Sequence, residues 1–492
     1  MGYSRSAAAR PRNKPSQNQT LALPDYVTIV AKEHATIHQC LRPWGRLSAC
    51  GGLSGRPTSP EMPSAIVIGG GLAGLSAAAA LAGAGFRVQV FEARPFLGGR
   101  ATSFPLAPGD DSVMIDNCQH VLLRCCVNLL DFYARLGVRD RIRFYREFYF
   151  IEPGGRISTL RRGALPAPLH FTGSFLRLRF LETGDKLAIA RGLLALRRER
   201  TRRDDLDRIT MLDWLREKRQ TPRAIERFWQ QVLVSAINED IGRTAARHGF
   251  QVFWLGFLAR AEGYEMGVPA IPLGELYRAE LWQAAGDVSL RLRTPVERID
   301  RDGITAGGER HAADYYICAL PFERLPALGL PAPAFEHSPI TGIHLWFDRA
   351  VTDLPHATLL DRTVQWMFNK SEGRYVQLVV SASRELAARS RADIIALAVK
   401  ELGEFFPRAR AARLEKAHVI KELRATFSAG PGTEALRPPP ETSRPDLFLA
   451  GDWTRSGWPA TMEGAVRSGY LAAEGVARAS GRPARFLLPD IA

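Results

Sequence analysis

The chain has 492 residues, 46% of them apolar, and a formal net charge of +15. That length and apolar share give ample material for a buried core and lead to an expectation of two or more domains. Six cysteines (Cys40, Cys50, Cys118, Cys125, Cys126 and Cys318) contain no CxxC pair and no metal-ligand spacing, which sets a metal module aside and points to a reduced cytoplasmic protein.

Residues 1 to 61 are rich in Ser, Arg, Pro and Gly and lack sustained periodicity. They read as a disordered extension or as a stretch upstream of the true start, because the first strand begins two residues after Met62. Their eight Lys and Arg against three Asp and Glu leave +10 for the rest of the chain.

Ser64 to Ile68 is a β-branched run suited to a buried parallel strand, and Leu75 to Ala84 is an Ala-rich helical pattern. Between them, Gly69-Gly70-Gly71-Leu72-Ala73-Gly74 has GxGxxG spacing. Gly69 permits a tight turn, Gly71 lets backbone approach a pyrophosphate, and Gly74 lets helix and strand pack closely. The N–H groups at Leu72 and Ala73, with the helix dipole, answer the phosphate charge. Val88 to Phe91 supplies a second strand. Glu92, followed by Ala93, lies 23 positions after Gly69, where an acid accepts hydrogen bonds from an adenosine ribose. Pro63 to Phe86 carries no charge, yet its glycines and strand-turn-helix pattern argue against a membrane span.

Arg94 to Ser103 contains the doublet Gly98-Gly99 followed by Arg100. This segment resembles the one that follows the ribose acid in amine oxidase and carotenoid desaturase flavoproteins, and the resemblance implies FAD. A paired glycine lets the chain pass close to the cofactor, and Arg100 is suited to answer phosphate charge.

Residues 120 to 265 read as mostly helical, with amphipathic pieces at Leu129 to Tyr133 and Met211 to Leu215. Within 156 to 203, Phe and Leu alternate with Arg177, Arg179, Lys186, Arg191, Arg197, Arg198, Arg200, Arg202 and Arg203. That mixture suits docking on an anionic bilayer, and it equally fits a solvated helix face. No nucleic-acid-binding motif accompanies the charge, so no nucleic-acid partner is expected. Val296 to Ile299 and Tyr315 to Pro321 are expected to be strands that rejoin the cofactor domain. Thr341 to Phe347 and Val376 to Ser381 read as further strands, followed by a helix from Arg391 to Phe406 that Pro407 ends. The fold expected is α/β: a discontinuous Rossmann-like FAD-binding domain (62–119, 270–335 and 440–480) with an interleaved α+β substrate-binding domain (120–269 and 336–439).

About 380 residues after the first glycine loop comes a second, Gly451-Asp452-Trp453 and then Gly457 to Gly469. This run, with Asp116 to Leu123, Trp366 to Lys370 and Lys421 to Ser428, resembles the bacterial hydroxysqualene dehydroxylases, the squalene-associated FAD-dependent desaturases. The likeness covers roughly Ser64 to Gly475, and Gly274 departs from it, standing where the family has Ser. The resemblance implies that reduced FAD converts hydroxysqualene to squalene and water, with an unidentified electron donor, at the inner face of the cytoplasmic membrane. It also implies FAD contacts at Val296, Gly451, Asp452, Thr461, Met462 and Ala465.

Such a step needs a protein acid to protonate the allylic hydroxyl and a pocket that excludes water. His120 is the first candidate acid and Asp116 the second, with Tyr264 and Glu265 behind them. His120 equally suits a hydrogen bond to a flavin carbonyl, and Asp116 the orientation of loop backbone. Trp229, Phe253, Trp254 and Phe257 fit either a pocket wall or ordinary core. Three rivals stand beside this reading: an oxidative carotenoid-type desaturase, an amine oxidase, which would need a more polar cage, and a flavin-bearing scaffold without catalysis.

Overall fold

The computed structural model describes residues 62–107 and 110–491; the leader lies outside the described residues. The fold is α/β, and its first layer is a five-stranded parallel sheet. Ser64–Ile68 lies at the centre between Arg87–Phe91 and Tyr315–Cys318, with Val288–Arg291 and Leu447–Leu449 at the edges. Four residues of the central strand are buried, as a run apolar on both faces requires. The helix Leu72–Gly83, mostly Ala and Leu, follows the first glycine loop and is buried from Leu72 to Ala82.

The closing helix, Met462–Ala479, packs across that first helix. The crossing is close: a Cβ on Gly469 would overlap the Ala73 carbonyl. Ser76 Oγ reaches Val466 O at 3.3 Å, and the Gly451 N–H donates to Ser468 Oγ at 2.9 Å. The two glycine-rich segments, distant in sequence, thereby become neighbours.

A second layer is a seven-stranded sheet in the order Leu414–Phe427, His337–Phe347, Tyr375–Val380, Trp366–Ser371, His356–Leu359, Glu147–Ile151 and Ile157–Arg161. Pairing is antiparallel except between His356–Leu359 and Glu147–Ile151. The helix Arg391–Phe405 shares a buried cluster with one face of it through Ile394, Ala398, Leu402 and Phe405.

Three sequence expectations change. Residues 142 to 161 are strands, Ile142–Tyr145, Glu147–Ile151 and Ile157–Arg161, within the region read as mostly helical. Their dense aromatic and β-branched content favours a pleated surface over a helix. Val296–Asp300 enters a separate three-stranded antiparallel ribbon, and the edge of the parallel sheet is Val288–Arg291. Exposed Glu297 and Arg298 suit a ribbon with one open face. The helix Val127–Arg135 buries Leu129, Leu130, Phe132 and Tyr133 in the cluster of the two glycine-loop helices, so this part of 120–269 packs with the cofactor layer.

Candidate active site

The first glycine loop is built from backbone. A Cβ on Gly74 would overlap the Gly69 carbonyl, so the turn closes only with glycine there. The helix that follows starts at Gly71, which offers no side-chain cap, and its first amides remain open to an anion. Gly98 joins the loop through its N–H to Gly70 O at 2.8 Å, which brings the doublet Gly98-Gly99 over Gly71. Open space surrounds Gly71: its nearest neighbour to an added Cβ is Gly99 Cα at 4.0 Å. Glu92 stands at the end of the second strand, oriented by the Gly70 N–H at 2.7 Å and the Arg94 N–H at 2.8 Å. Ala93 follows it, and the segment before Val296 returns beside this acid, with the Thr294 N–H donating to Glu92 O at 2.9 Å. These are the donors a pyrophosphate needs and the acceptor a ribose needs.

Arg100, expected to answer phosphate charge, and Asp452, expected as a separate FAD contact, form an ion pair with each other at 2.7 Å. Arg100 also donates to Ala425 O at 2.8 Å, so its positive charge is shared with the second layer. Asp452 belongs to a loop fastened by Arg437, whose side chain is fully buried. That guanidinium donates to Asp452 O at 3.0 Å, Trp458 O at 2.7 Å, Thr454 O and Ser456 Oγ. Its local partner is Glu434 at 2.7 Å, three residues before it, but the bolt itself is defined by groups 15 to 21 residues away, which the local sequence does not announce. Thr461 caps the closing helix by accepting from the Gly464 N–H at 3.0 Å; Met462 opens that helix and Ala465 lies in its first turn.

Asp116, expected as a candidate acid, is a carboxylate fully engaged by its neighbours. It accepts from Ser103 Oγ at 2.7 Å, from the Leu273 N–H at 3.0 Å and from Lys370 Nζ at 3.0 Å. Burial acts to raise its pKa, but the Lys370 charge and these bonds prevail and hold it below the usual carboxylate range. Asp116 therefore positions Lys370 and carries no proton to donate at neutral pH. Gly274, where Ser was expected, leaves no gap in this network: its N–H donates to Ser103 Oγ at 3.0 Å.

His120 is tied down through one ring nitrogen. Its Nδ1 lies 3.0 Å from the Cys118 carbonyl, an acceptor, so Nδ1 carries the proton and Nε2 keeps a lone pair. Burial lowers its pKa, and Arg100 and Lys370 oppose a charged ring against the Cys118 carbonyl and Asp116. The neutral imidazole suits an accepting role. Tyr264 and Glu265 are committed elsewhere: the Tyr264 hydroxyl donates to Arg146 O at 2.8 Å, and Glu265 pairs with Arg124 at 2.7 Å.

An apolar cavity of about 410 Å³ adjoins this region. One end is formed by Val121 and Leu122, directly after His120, and by Trp458, Pro459, Thr461, Met462 and Glu463 of the second glycine segment. Phe253 and Phe257 line it, whereas Trp229 is core, donating to Gln220 at 2.8 Å, and Trp254 lies under Arg200 at 3.8 Å. Glu463 was missed from sequence as a titrating group. Burial pushes its carboxyl up to about 7, although it accepts from the Leu129 N–H at 2.7 Å and from Asn128 Nδ2 at 2.9 Å. The role of Lys370 was also missed: it closes the segment Trp366 to Lys370 singled out by the resemblance, but its partners lie about 250 residues away.

A model of the family described as flavin containing amine oxidoreductase matches residues 72–477. A 15-cis-phytoene desaturase of Synechococcus elongatus is 27% identical over 85% of this chain and 98% of its own length. A chloroplastic 15-cis-phytoene desaturase of Solanum lycopersicum is 27% identical over 86% of this chain and 79% of its own. Among solved structures, an oxidoreductase from Methanosarcina mazei matches with a TM-score of 0.61 at 17% identity, covering 82% of this chain and 98% of that one. Cyclohexylamine oxidase from Brevibacterium oxydans matches with a TM-score of 0.59 at 18% identity, covering 86% and 100%. Those two likenesses concern the fold. With the glycine cradle, the open helix start and the ribose acid in place, FAD is the cofactor, and the chain belongs to the flavin containing amine oxidoreductase family as an FAD oxidoreductase.

Proposed function

We propose that the protein carries out a redox step at an allylic carbon of a long, linear isoprenoid lipid. The observation that carries this reading is the cavity: its wall is predominantly apolar, led by Leu and Phe with Val, Ala, Met, Trp and Pro, its few polar residues include a single carboxylate residue, and it ends on the second glycine segment. Such a wall binds a hydrocarbon by removing it from water and offers an ammonium group no carboxylate cage. FAD, when bound, accepts or supplies hydride. The chain's own residues hold the lipid against that end of the cavity, exclude water, and set the local charge through Arg100, Asp116 and Lys370.

Two directions follow from this one site. The oxidative direction, dehydrogenation of a polyene precursor, is supported by the phytoene desaturases at 27% identity and by Asp116, which is held as a carboxylate by Lys370 and offers no proton. Reductive dehydroxylation of hydroxysqualene is the second reading. It is favoured by the run from Trp458 to Gly469 and by Glu463, a residue at that end of the cavity whose buried carboxyl, pushed up to about 7 and held against Asn128 and Leu129, can keep a proton.

The test mixes anaerobic enzyme with lipid in two arms. Oxidised enzyme receives phytoene or squalene; chemically reduced enzyme receives hydroxysqualene. Flavin bleaching with one new double bond per flavin supports the oxidative direction. Flavin reoxidation with one squalene formed per flavin supports the reductive one. Silence in both arms overturns the substrate class.

A further inference from the structure

Eleven large apolar residues are exposed among the described residues, and six of them fall between Ile157 and Leu194. Four lie on or beside two helices that carry cavity-lining residues: Leu169 is 58% exposed, Leu176 61%, Leu187 57% and Leu194 53%. Leu169 and Leu194 are themselves cavity-lining residues, as are Thr172, Phe175, Ala190 and Arg197. The rim is therefore made by the short helix Thr172–Leu176 and the longer helix Thr183–Glu199. The two are tied together where Lys186 Nζ donates to Leu176 O at 2.8 Å.

The longer helix reverses the usual outward pattern. Its buried stripe holds Asp185, Ala188, Ile189, Gly192 and Leu196. Its exposed stripe runs Leu187, Ala190, Arg191, Leu194, Arg197 and Arg198, so that leucines and arginines share the side that a water-facing helix gives to polar groups alone. The charges there are of one sign. Between Leu169 and Arg198 the only acids are Glu182 and Asp185; Glu182 is paired with Arg223, and Asp185 accepts from Thr221 at 2.5 Å. Among the described residues, no carboxylate lies within ion-pair distance of Arg177, Arg179, Arg191, Arg197 or Arg198. Arg203, expected in the same patch, is instead held by Asp205 and Glu217, and Arg200 lies over the Trp254 ring.

We propose that this face docks on an anionic bilayer, with the leucines of the rim entering the interface and the arginines meeting the headgroups, so that the cavity opens onto the lipid and its substrate enters without crossing water. The occupant follows from the combination: exposed leucines alone would suit a protein partner, but leucines interleaved with unpaired arginines around the mouth of an apolar cavity match a surface with a charged plane above a hydrocarbon layer. The purpose of the face rests on reading the cavity as an isoprenoid site; the docking itself is measured without any turnover.

The test is co-sedimentation of the FAD-loaded full chain with vesicles of phosphatidylcholine alone and of phosphatidylcholine mixed with phosphatidylglycerol. Binding is expected on the anionic vesicles and is expected to weaken with salt. The double variant Leu176→Asp/Leu187→Asp should bind at least about tenfold more weakly on both kinds of vesicle, and Arg191→Gln/Arg198→Gln should lose affinity mainly for the anionic one. Flavin content and thermal midpoint are read alongside, so that loss of binding is separated from loss of fold. A fluorophore on Leu187→Cys gives an independent reading, with a blue shift expected when anionic vesicles are added. Wild-type binding to neither vesicle, binding unchanged in both variants, or preference for an RNA homopolymer over vesicles would overturn the proposal. Vesicle binding that persists while every isoprenoid fails in the flavin assay would remove the substrate reading and leave docking standing.

Discussion

In the parallel-sheet layer the cradle contacts are made by backbone within about 30 residues, where Gly74 sits against Gly69 in one loop and Gly98, beyond the second strand, donates to Gly70 O. In the antiparallel layer they are made by side chains from distant segments, where Lys370 meets Asp116 and Trp366 reaches Ser235 at 2.6 Å. A backbone cradle tolerates almost no added atom and serves a cofactor of fixed shape. A side-chain cavity tolerates volume changes at the cost of selectivity, and a flexible hydrocarbon suits it. The pairing teaches that flavin retention and recognition by the cavity are separable in this fold, and substitutions should divide accordingly.

The largest effect is expected in the cradle. Gly74→Val should abolish flavin retention and cost at least roughly 3 kcal/mol, seen as flavin-free or insoluble protein, because the Cβ alone overlaps Gly69 O. Arg437→Met comes next. Removing the buried guanidinium strips its partners at Asp452, Thr454 and Trp458 and should cost roughly 3 kcal/mol, with flavin released at a lower temperature than in wild type. If both variants kept full flavin occupancy, the cofactor layer would not depend on the geometry described.

Substitutions in the cavity should spare the flavin. Ala236→Trp, on the cavity wall, is expected to raise KM for the lipid by about tenfold or more with flavin content unchanged. A parallel loss of flavin would blur the division between the layers.

The polar junction should respond through pH. Asp116 is held below its ordinary range in the folded state, so its contribution to stability is present above the unfolded carboxyl pKa and is lost as pH falls through the folded one. Lys370→Met removes the charge that lowers it, so the acid-unfolding midpoint should move to higher pH. An unchanged midpoint would mean that the ion pair at 3.0 Å contributes nothing measurable. The smallest effect is expected at His120. His120→Gln keeps an accepting group and should change turnover less than about threefold without altering the pH profile, since a neutral ring donates no proton from Nε2. A lost acid limb in that variant would identify His120 as the donor.

How much of this was legible in sequence follows from the same division. The first glycine loop, Glu92 and the helix behind them are encoded within about 30 consecutive residues, so periodicity and spacing sufficed. The strand at Tyr315–Cys318 was readable from its β-branched and aromatic content, whereas Val288–Arg291, half-buried at an edge, carries a weaker pattern than the ribbon strand mistaken for it. Asp116 and His120 were found as residues of the junction, but their protonation was not, because it is set by Lys370 and by the Cys118 carbonyl in a folded arrangement. Glu463 sits inside a recognised motif, yet only its burial against the helix at Val127 makes it titrate near neutrality. The leucines of the cavity rim were visible as residues, while their outward placement depends on which stripe of the helix the core takes.

The central claim, an apolar site coupled to FAD, is tested most directly by titrating the oxidised holoenzyme anaerobically with an apolar isoprenoid such as phytoene and, in parallel, with a simple aliphatic amine, while the flavin spectrum is followed. The account predicts that the isoprenoid perturbs or bleaches the flavin band saturably and that the amine leaves it unchanged; bleaching by the amine, with no response to the isoprenoid, would contradict it.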